Sequence, residues 1–555
     1  MATEGSAEDG ARLAALVGTV TDTLGGAATG HPVETFTPEE EARLTAHFTN
    51  LDKPVFGLVN LPETVKGALF ARYSRYRGTL RRLFLEEFAD SVPEIEAYEG
   101  REGQRAKDLY ERIFLGYGDD SVAQLGGAHV ACEWTSNLLT KILQRPRLAA
   151  YLEQSTRYLA YDEPVEGFGY RYYRDERFGP KYVAAMDSLF DAYRESQRVV
   201  GEWVREQFPR GSEETEAAYK RATFAKTLDL VRGLLPAASL SHVGIYASGQ
   251  TYEQLVLHLL SHPLGEARTY GEMMLAELQK MIPSFVARVP REDRGGRWIA
   301  FLDERCRRAG AVAKRLGFDA SRREDAPSVR LLSVEGTEDD VLASLLFEAA
   351  GASEQELRAT IADLSIAEKS KALAELVGGR ENRRHRPGRG LEAARYRFEI
   401  VSDYGAFRDL QRHRMLTCQW QRLTPDLGAE VPDEIDEAGF GDAFRSALET
   451  SRLAFERLRG EGLVEEAPYA LCLAYRIRYV LDLNAREAMQ LIELRSGREG
   501  HPSYRAVAHE MHRQIAAVHP AIASAMNFVD VSSEPRLERL LAEMRNEARR
   551  DRTGP

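Results

Sequence analysis

The amino-acid sequence predicts an α+β fold built twice in tandem, each copy combining a modest sheet with a helical layer. A short apolar strand, a turn and an amphipathic helix at 54–74 recur at 328–350. An arginine-rich stretch at 145–159, "RPRLAAYLEQSTRYL", has a counterpart at 412–426, "RHRMLTCQWQRLTPD". The pairs keep their order along the chain, which is expected of two diverged copies of one domain.

The length of 555 residues also favours two large domains over one core. A third pair of landmarks, around Arg268 and Arg505, lies closer together than the first two pairs, which predicts an insertion in the first copy. We expect a loosely structured lead-in at 1–50, a first domain at 51–302, a linker at 303–327, a second domain at 328–530 and a C-terminal helix or tail at 531–555.

The elements follow from hydrophobic periodicity and capping signals. Apolar runs predict strands at 55–59, 128–134, 329–334 and 396–402. A period of 3.6 residues predicts helices at 469–483, 487–495 and 504–519, and "PEEEARLTAHF" predicts a short helix in the lead-in. Thr337, followed by acidic residues, is expected to be the N-cap of a helix.

The composition is that of a soluble globular protein, with 43% hydrophobic and 29% charged residues. A net charge of -12 argues against nucleic-acid and anionic-membrane partners. Four scattered cysteines without a CxxC pair indicate a reduced, intracellular protein without structural zinc, and we expect no metal site. The start lacks the features of a signal peptide and no stretch is long enough for a membrane helix, so we expect a cytoplasmic protein.

The first arginine-rich stretch carries candidate ligand-binding groups. Glu153, Ser155 and Arg157 are spaced i, i+2, i+4, and in an extended segment all three share one face. An acceptor, a hydroxyl and a guanidinium pointing together suit a sugar-phosphate. The alternative is a solvated strand face with a local ion pair.

The second stretch begins with the cationic triplet Arg412-His413-Arg414. Residues two apart do not share a face in mid-helix, so the triplet lies at a helix end or its arginines serve different ligands. Such donors suit the pyrophosphate of a flavin nucleotide. A second triplet at Arg384-His385-Arg386 is interpreted as a solvated basic loop.

Together these stretches resemble the flavin-dependent thymidylate synthases, which make thymidylate without a cysteine nucleophile. The family signature is Arg-His-Arg, two residues, Ser, one residue, Asn-Glu, one residue, Ser, one residue, Arg-Tyr. The first copy matches at Arg145, Arg147, Glu153, Ser155, Arg157 and Tyr158 and departs at Pro146, Ala150 and Leu152. The second copy matches at Arg412, His413 and Arg414 and departs at Trp420, Arg422 and Thr424.

The resemblance continues over roughly 54–285 and 328–525. In the second copy, the family's Asn-Ala-Arg, Leu-Arg and terminal arginine look like Asn484-Ala485-Arg486, Leu494-Arg495 and Arg505. In the first copy, Arg232 with Leu235-Pro236 resembles the family's Arg-x-x-Leu-Pro, and Arg268 resembles the terminal arginine. The same copy has Gly249 in place of the asparagine.

This resemblance implies reductive methylation of dUMP to dTMP, with FAD as cofactor and NADPH and methylenetetrahydrofolate as co-substrates. None of the cysteines has the Pro-Cys-His context of the classical enzymes, and a reduced flavin can supply hydride instead. Because family enzymes are homotetramers with shared sites, it also implies a homodimer whose sites divide the work between the two copies.

The resemblance assigns roles residue by residue. Arg505 would polarise the pyrimidine as the catalytic residue. The expected substrate-binding residues are Glu153, Ser155, Arg157, Arg268 and Arg495, and the expected cofactor-binding residues are Arg145, Arg147, Arg412, His413, Arg414 and Asn484. The departures from the signature leave two alternatives: a degenerate member that binds a nucleotide or flavin without activity, and a flavoenzyme acting on another pyrimidine or a related base.

Overall fold

A computed structural model describes residues 31–92, 122–318, 327–532, 537 and 539–553. The chain divides into two compact units. The first unit takes its described residues from Met1–Phe190, Pro236–Ser321 and Leu453–Ala470, and the second from Asp191–Leu235, Arg322–Arg452 and Leu471–Pro555. Each unit therefore includes a segment from the other half of the sequence. The domains expected at 51–302 and 328–530 are continuous and do not include this exchange of segments.

The first unit is organised around a four-stranded antiparallel sheet in the order β1-β2-β4-β3. Cross-strand partners include Val55 with Cys132 and Glu153 with Val243. The strand β2 bulges between Cys132 and Thr135. The strands are β1 (Val55–Leu58), β2 (Gly127–Ser136), β3 (Ala149–Glu153) and β4 (Leu240–Ser248).

The second unit repeats this topology, with a four-stranded antiparallel sheet in the order β5-β6-β8-β7. In both sheets the first strand lies at one edge, and the fourth lies between the second and the third. The strands are β5 (Ser328–Glu335), β6 (Arg395–Asp403), β7 (Leu416–Trp420) and β8 (Arg476–Asn484). The predicted α+β fold with two tandem copies is confirmed, as are the four strands expected from apolar runs.

The helix expected at 469–483 is wrong. Ala467–Ala470 is a 3-10 turn, and the rest of that segment leads into β8. In β8 the side chains of Ile477, Tyr479 and Leu481 are buried and alternate with more exposed neighbours. This period of two residues belongs to a strand with one face on the core.

The helices cover the sheets and supply the exchanged segments. The first unit contains α1 (Pro38–Thr45), α2 (Glu63–Tyr73), α3 (Leu80–Leu83), α4 (Asn137–Leu143), α7 (Gly249–Leu260), α8 (Gly265–Met281), α9 (Pro283–Val286) and α10 (Arg297–Arg315). The second contains α6 (Glu216–Val231), α11 (Glu338–Ala350), α12 (Glu354–Ala362), α13 (Ile366–Val377), α14 (Tyr404–Leu410), α15 (Asp433–Glu437), α17 (Ala485–Arg495), α18 (Pro502–Val518), α19 (Pro520–Ser524) and α20 (Leu540–Thr553). The sequences of α5 (Gly179–Gln207) and α16 (Gly441–Gly460) are divided between the units.

Short 3-10 and π turns connect several of these elements. The 3-10 turns are Ala89–Ser91, Val122–Gln124, Glu176–Phe178, Arg232–Leu234, Arg389–Ala393, Pro425–Leu427 and Ala467–Ala470, and the π turns are Phe84–Phe88 and Glu292–Gly296.

Capping signals in the sequence correspond to the helix starts. Thr337 caps α11 as predicted: its side chain accepts a hydrogen bond from the backbone N–H of Asp340, and the Asp340 carboxylate accepts one from the backbone N–H of Thr337. Thr37 and Glu40 form the same capping box at α1 in the lead-in. The helices predicted at 487–495 and 504–519 correspond to α17 and α18. The segment expected as a linker is helical up to Arg315. Among the described helices, none combines the length and apolar character needed to cross a membrane.

Candidate functional site

His413 lies in a buried polar cluster of the second unit. Its Nδ1 is 3.0 Å from Oε1 of Glu487, and Arg495 donates from Nε to its Nε2 at 3.1 Å. Because a guanidinium only donates, Nε2 is the acceptor and Nδ1 carries the proton given to Glu487. Burial lowers the pKa of His413 below 6.5 and outweighs the hydrogen bond to Glu487, so the ring is neutral at pH 7.

Two helix ends place these groups. The helix α14 ends at Leu410, immediately before the triplet, and α17 carries Glu487 in its first turn and Arg495 at its end. Asn484 is the N-cap of α17, with its Oδ1 accepting from the backbone N–H of Glu487 at 2.9 Å. Asn484, expected to bind cofactor, thus fixes the start of α17, the helix that carries the hydrogen-bond partners of His413.

The triplet lies beyond a helix end, one of the two arrangements that its spacing allowed. Arg412 and Arg414 are exposed on either side of buried His413. The imidazole of His413 is therefore buried, whereas the two arginines are exposed to solvent. This arrangement presents two fork-shaped donors to an anion.

Asp409 connects the triplet to a residue from the first half of the sequence. Its Oδ2 accepts from Nη1 of Arg232 at 3.3 Å, and its Oδ1 lies 3.8 Å from Nη1 of Arg412. Arg232 begins a 3-10 turn at the end of α6 and is 3% exposed. Both Arg232 and Asp409 belong to the second unit, so this unit assembles one charge cluster from both sequence copies.

A glycine makes room for Arg232. A Cβ added to Gly405 would lie 3.1 Å from Nη2 and 3.2 Å from Nε of Arg232, and 2.8 Å from Oδ1 of Asp403. Asp403 caps α14 by accepting from the backbone N–H of Ala406 at 2.9 Å. The guanidinium of Arg232 therefore packs over the first turn of α14, where any larger residue would displace it.

Several polar atoms in this region are buried without a hydrogen-bond partner in the described part of the chain. They are Nη2 of Arg232, Oδ2 of Asp403 and Nε of Arg476. Asp403 and Arg476 are directly opposed across β6 and β8. Each buried polar group left without a partner costs about 1–3 kcal/mol. Nε of Arg476 faces the carboxylate of Glu430, and the Asp403 carboxyl interacts with Ser503. Nη2 of Arg232 is therefore the atom of the three best suited to a polar ligand or to bound water.

Nearby carboxyl groups have unusual acidity. Burial raises the pKa of Asp403. Burial, with the adjacent Asp403, raises the pKa of Glu430 to about 7. Glu430 is 3.8 Å from Nε of Arg476. Perturbed carboxyl groups beside buried cations are typical of functional sites, although ion-pair networks also produce them.

Arg505, the expected catalytic residue, is held by main-chain carbonyls. Its Nε donates to the carbonyl of Ser496 at 2.9 Å and its Nη2 donates to that of Ser532 at 3.0 Å. Asp530 lies 4.0 Å from Nη2. The first bond joins the start of α18 to the end of α17, and the second joins it to the segment after α19.

In the first unit, Glu153 forms a buried ion pair. Its Oε2 accepts from Nζ of Lys141 at 2.8 Å and from Nε2 of Gln144 at 2.9 Å. All three residues are buried. This carboxylate, expected to bind substrate, has two strong protein donors.

The shared face predicted for Glu153, Ser155 and Arg157 is wrong. The strand β3 ends at Glu153, and the chain then turns, with the backbone N–H of Tyr158 donating to the carbonyl of Ser155. Oγ of Ser155 accepts from the backbone N–H of Arg157 at 3.3 Å. Residues two and three apart in an extended chain are too distant to form these bonds, so the side chains do not line up as along a strand.

The remaining arginines of the first copy lie at the surface of the first unit. Arg145 and Arg147 are exposed between α4 and β3, the position that Arg412 and Arg414 occupy between α14 and β7. Arg268 donates from Nη1 to the carbonyls of His262 and Pro263, each at 2.7 Å. Arg268 thus closes the loop before α8.

Sequence reasoning missed part of the cluster. The sequence indicates Arg232 only through its resemblance to the Arg-x-x-Leu-Pro pattern of the family. That pattern is the signal that could have placed Arg232 in the site. Asp409, three residues before the triplet, and Glu487, in the first turn of a predicted helix, were not singled out. No short sequence pattern distinguishes these two carboxylates from surface acids.

Both halves of the sequence match one known protein family. The sequence signature described as "Thymidylate synthase complementing protein" matches twice, at residues 79–284 and 343–521. The chain belongs to this family. The predicted membership of the flavin-dependent thymidylate synthase family and the predicted duplication are confirmed.

Similar proteins match most of the length of the chain. A UPF0159 protein of Chlamydia muridarum (strain MoPn / Nigg) is 37% identical over 528 residues, covering 92% of this chain and 99% of the relative. The UPF0159 protein Ta1429 of Thermoplasma acidophilum is 30% identical over 514 residues, covering 86% and 98%. Among solved structures, a UMP/dUMP methylase, PolB from Streptomyces cacaoi, matches with 17% identity and a TM-score of 0.30 over 37% of this chain and 96% of that chain.

Proposed function

We propose that this protein methylates dUMP reductively to dTMP, using bound FAD, NADPH as reductant and methylenetetrahydrofolate as the carbon source. Membership of the flavin-dependent thymidylate synthase family supports the reaction class. The site is the charge cluster of the second unit around Arg232, Asp409, His413 and Arg495. A homodimer is part of this proposal, by analogy with the tetrameric enzymes of the family.

The observation that carries the proposal is the meeting of Arg232 with Asp409 in one cluster. A duplicated enzyme that divides its site between copies needs residues of both copies in one place. Arg232 comes from the first copy, while Asp409, His413 and Arg495 come from the second. Each copy could then lose the groups that the other supplies, which accounts for the different departures from the signature.

The residues suit the ligands chemically. Arg412 and Arg414, both exposed, precede and follow His413 in the sequence, and their guanidiniums are donors that fit the pyrophosphate of FAD. A bound flavin supplies the hydride that the chain itself cannot. His413 keeps its proton on Nδ1 against Glu487 and therefore holds a fixed orientation beside the two arginines.

Buried cations would bind and polarise the nucleotide. Nη2 of Arg232 has no acceptor among the described residues and is available for a substrate oxygen. Burial lowers the pKa of Arg495, and the negative charge of Asp409 opposes this shift, as an anionic group of the nucleotide would. Cations held in a water-poor site stabilise negative charge more strongly than they do in water. The polarising role of Arg505 stays a prediction, and Nη1 is the nitrogen it could offer.

A second candidate function has one observation in its favour. Glu153, the acceptor carried over from the family signature, is neutralised by Lys141 and hydrogen-bonded by Gln144 in a buried ion pair. The first copy has thereby turned a ligand-binding carboxylate into a structural one. This supports a family member that binds a nucleotide or flavin in a regulatory or scaffold role without methylating it.

The experiment is a reconstitution of the full-length protein with FAD, followed by assays of dUMP-dependent NADPH oxidation and of dTMP formation. The test variant is Arg412→Ala/Arg414→Ala. The matched control, Arg384→Ala/Arg386→Ala, removes the same charges from the other triplet, which is exposed in a loop. We expect dTMP from the native protein and the control, and little FAD in the test variant.

Three outcomes separate the candidates. Formation of dTMP supports the synthase. FAD or dUMP binding without dTMP supports the binding protein. A protein that binds neither FAD nor dUMP excludes both functions.

A further inference from the structure

A cavity away from the charge cluster lies between two helices of the second unit. It has a volume of about 570 Å³, is open to solvent on one side, and is lined by the final turns of α5, by Arg210 and by α6. Ligand pockets commonly measure about 300–1,000 Å³, so this one can hold a molecule of nucleotide size. None of its lining residues was singled out by the sequence or used in the proposed reaction.

The wall of the cavity carries three cations and one carboxylate, Glu216, whose pKa is lowered by Lys220 and, less strongly, by Arg210. Arg205, Arg210 and Lys220 line it. Lys220 is paired with Glu216 at 2.6 Å. Arg205 and Arg210 form no ion pair with any acidic residue that the structure describes. In a chain of net charge -12, two such arginines at one cavity indicate an anionic ligand.

Aromatic rings and an amide complete the lining. The side chain of Phe224 is 43% exposed at the cavity, and the hydroxyl of Tyr219 is fixed by donating to the carbonyl of Phe208 at 2.8 Å. The Nε2 of Gln197 is buried and has no acceptor within the described ranges. An exposed aromatic face suits a planar ring, and an amide donor without a partner suits a carbonyl oxygen of the ligand.

We propose that this cavity binds a phosphorylated ligand with a planar ring, the chemical class of nucleotides. The guanidiniums of Arg205 and Arg210 take the phosphates, because planar forks match phosphate oxygens. Phe224 stacks on the ring, and Gln197 donates to its edge. Thr227 lines the cavity one turn before Arg232, so α6 carries both this site and the first-copy arginine of the charge cluster.

The test is calorimetric titration of the full-length protein with ATP, dTTP, thymidine and inorganic triphosphate. All titrations are made in the Arg232→Lys background as well as in the native protein, which separates this site from the charge cluster. Arg205→Ala/Arg210→Ala is expected to weaken binding of nucleotides and of triphosphate at least about tenfold, a change of about 1.4 kcal/mol. Phe224→Ala is expected to weaken binding of nucleotides but not of triphosphate.

The matched control is Arg194→Ala/Arg198→Ala, which removes two charges from α5 outside the cavity. We expect its nucleotide affinity to stay within about twofold of the native value. Equal weakening in the control and the test variant would overturn the proposal, as would the absence of nucleotide binding at millimolar concentration. Nucleotide affinity that equals the affinity for triphosphate and is unchanged in Phe224→Ala would overturn the assignment of a ring-bearing ligand. Because binding is read directly, these results hold whether or not the protein makes dTMP.

Discussion

Arg232 donates from Nη1 to Oδ2 of Asp409 at 3.3 Å, although 177 positions separate the two residues in the sequence. The side chains are 4% and 12% exposed. The pair lies within one unit and links the end of α6 to the end of α14. In the first unit, Tyr469 in the exchanged segment Leu453–Ala470 likewise donates to Glu266 at 2.6 Å. The exchanged segments are therefore fixed by specific polar contacts in both units.

Replacing Arg232 by Met is expected to destabilise the second unit and to weaken dUMP binding. The substitution leaves Asp409 charged, largely buried and without this donor, and breaking a buried pair from one side costs about 3–5 kcal/mol. Thermal unfolding and dUMP titration measure the two effects. In the double variant Arg232→Met/Asp409→Leu, stability should largely return while dUMP binding stays weak. Recovery of dUMP binding in the double variant would show that Arg232 only balances Asp409.

Gly405→Ala tests the position of Arg232 without removing a charge. The new methyl group would lie 3.1 Å from Nη2 and 3.2 Å from Nε of Arg232, and 2.8 Å from Oδ1 of Asp403, so the guanidinium and the capping carboxylate must both shift. We expect dUMP affinity to fall at least about fivefold, or about 1 kcal/mol. The control is Gly310→Ala in α10, where an added Cβ meets nothing within 4 Å. Unchanged dUMP affinity in Gly405→Ala would mean that the placement of Arg232 over α14 has no part in binding.

His413→Gln is expected to lower FAD affinity more than about tenfold, with loss of the visible flavin absorbance after gel filtration. Glutamine cannot accept from Arg495 and donate to Glu487 with the same geometry, so the orientation between Arg412 and Arg414 is lost. The control is His385→Gln in the other triplet, whose ring is exposed. Equal flavin retention in the two variants would remove His413 from the cofactor site.

How much of the fold could be predicted depended on the length of each periodic segment. The strands β1, β2, β5 and β6 and the helices α17 and α18 follow from the sequence, because their apolar patterns are long or flanked by clear caps. The strand β8 was missed because the Ala- and Leu-rich stretch before Ile477 resembles a helix. The alternation of Ile477, Tyr479, Leu481 and Leu483 was the signal for a strand.

The candidate site was less predictable because it depends on contacts distant in sequence. The Arg412-His413-Arg414 triplet could be found, since three cations in a family context are distinctive. Burial of His413 and exposure of Arg412 and Arg414 depend on where α14 ends. The three residues of the triplet do not themselves specify that helix end. Glu153 keeps the family residue type but pairs with Lys141, and only packing shows that. A retained signature residue is thus no guarantee of a retained role.

Glu266 predicts a pH dependence of stability in the first unit. It accepts from the backbone N–H of Ser136 at 2.8 Å, from its Oγ at 2.6 Å and from the hydroxyl of Tyr469 at 2.6 Å. Burial outweighs these donors and raises the pKa of Glu266 from 4.5 to about 7. Folding therefore favours the protonated form, and the associated stability is complete below pH 4.5 and is lost as the pH rises through 7.

The variant Glu266→Gln removes this titration. Relative to the native protein, its free energy of unfolding should rise by about 3 kcal/mol between pH 4.5 and pH 8, since each pKa unit corresponds to about 1.4 kcal/mol. Unfolding in urea at several pH values measures the difference. Glu176→Gln, an exposed substitution in the same unit, is the control and should follow the native curve. Parallel curves for Glu266→Gln and the native protein would mean that the three donors keep this carboxylate charged at every pH tested. The hydroxyl of Tyr469 in the exchanged segment would then donate to a charged carboxylate throughout.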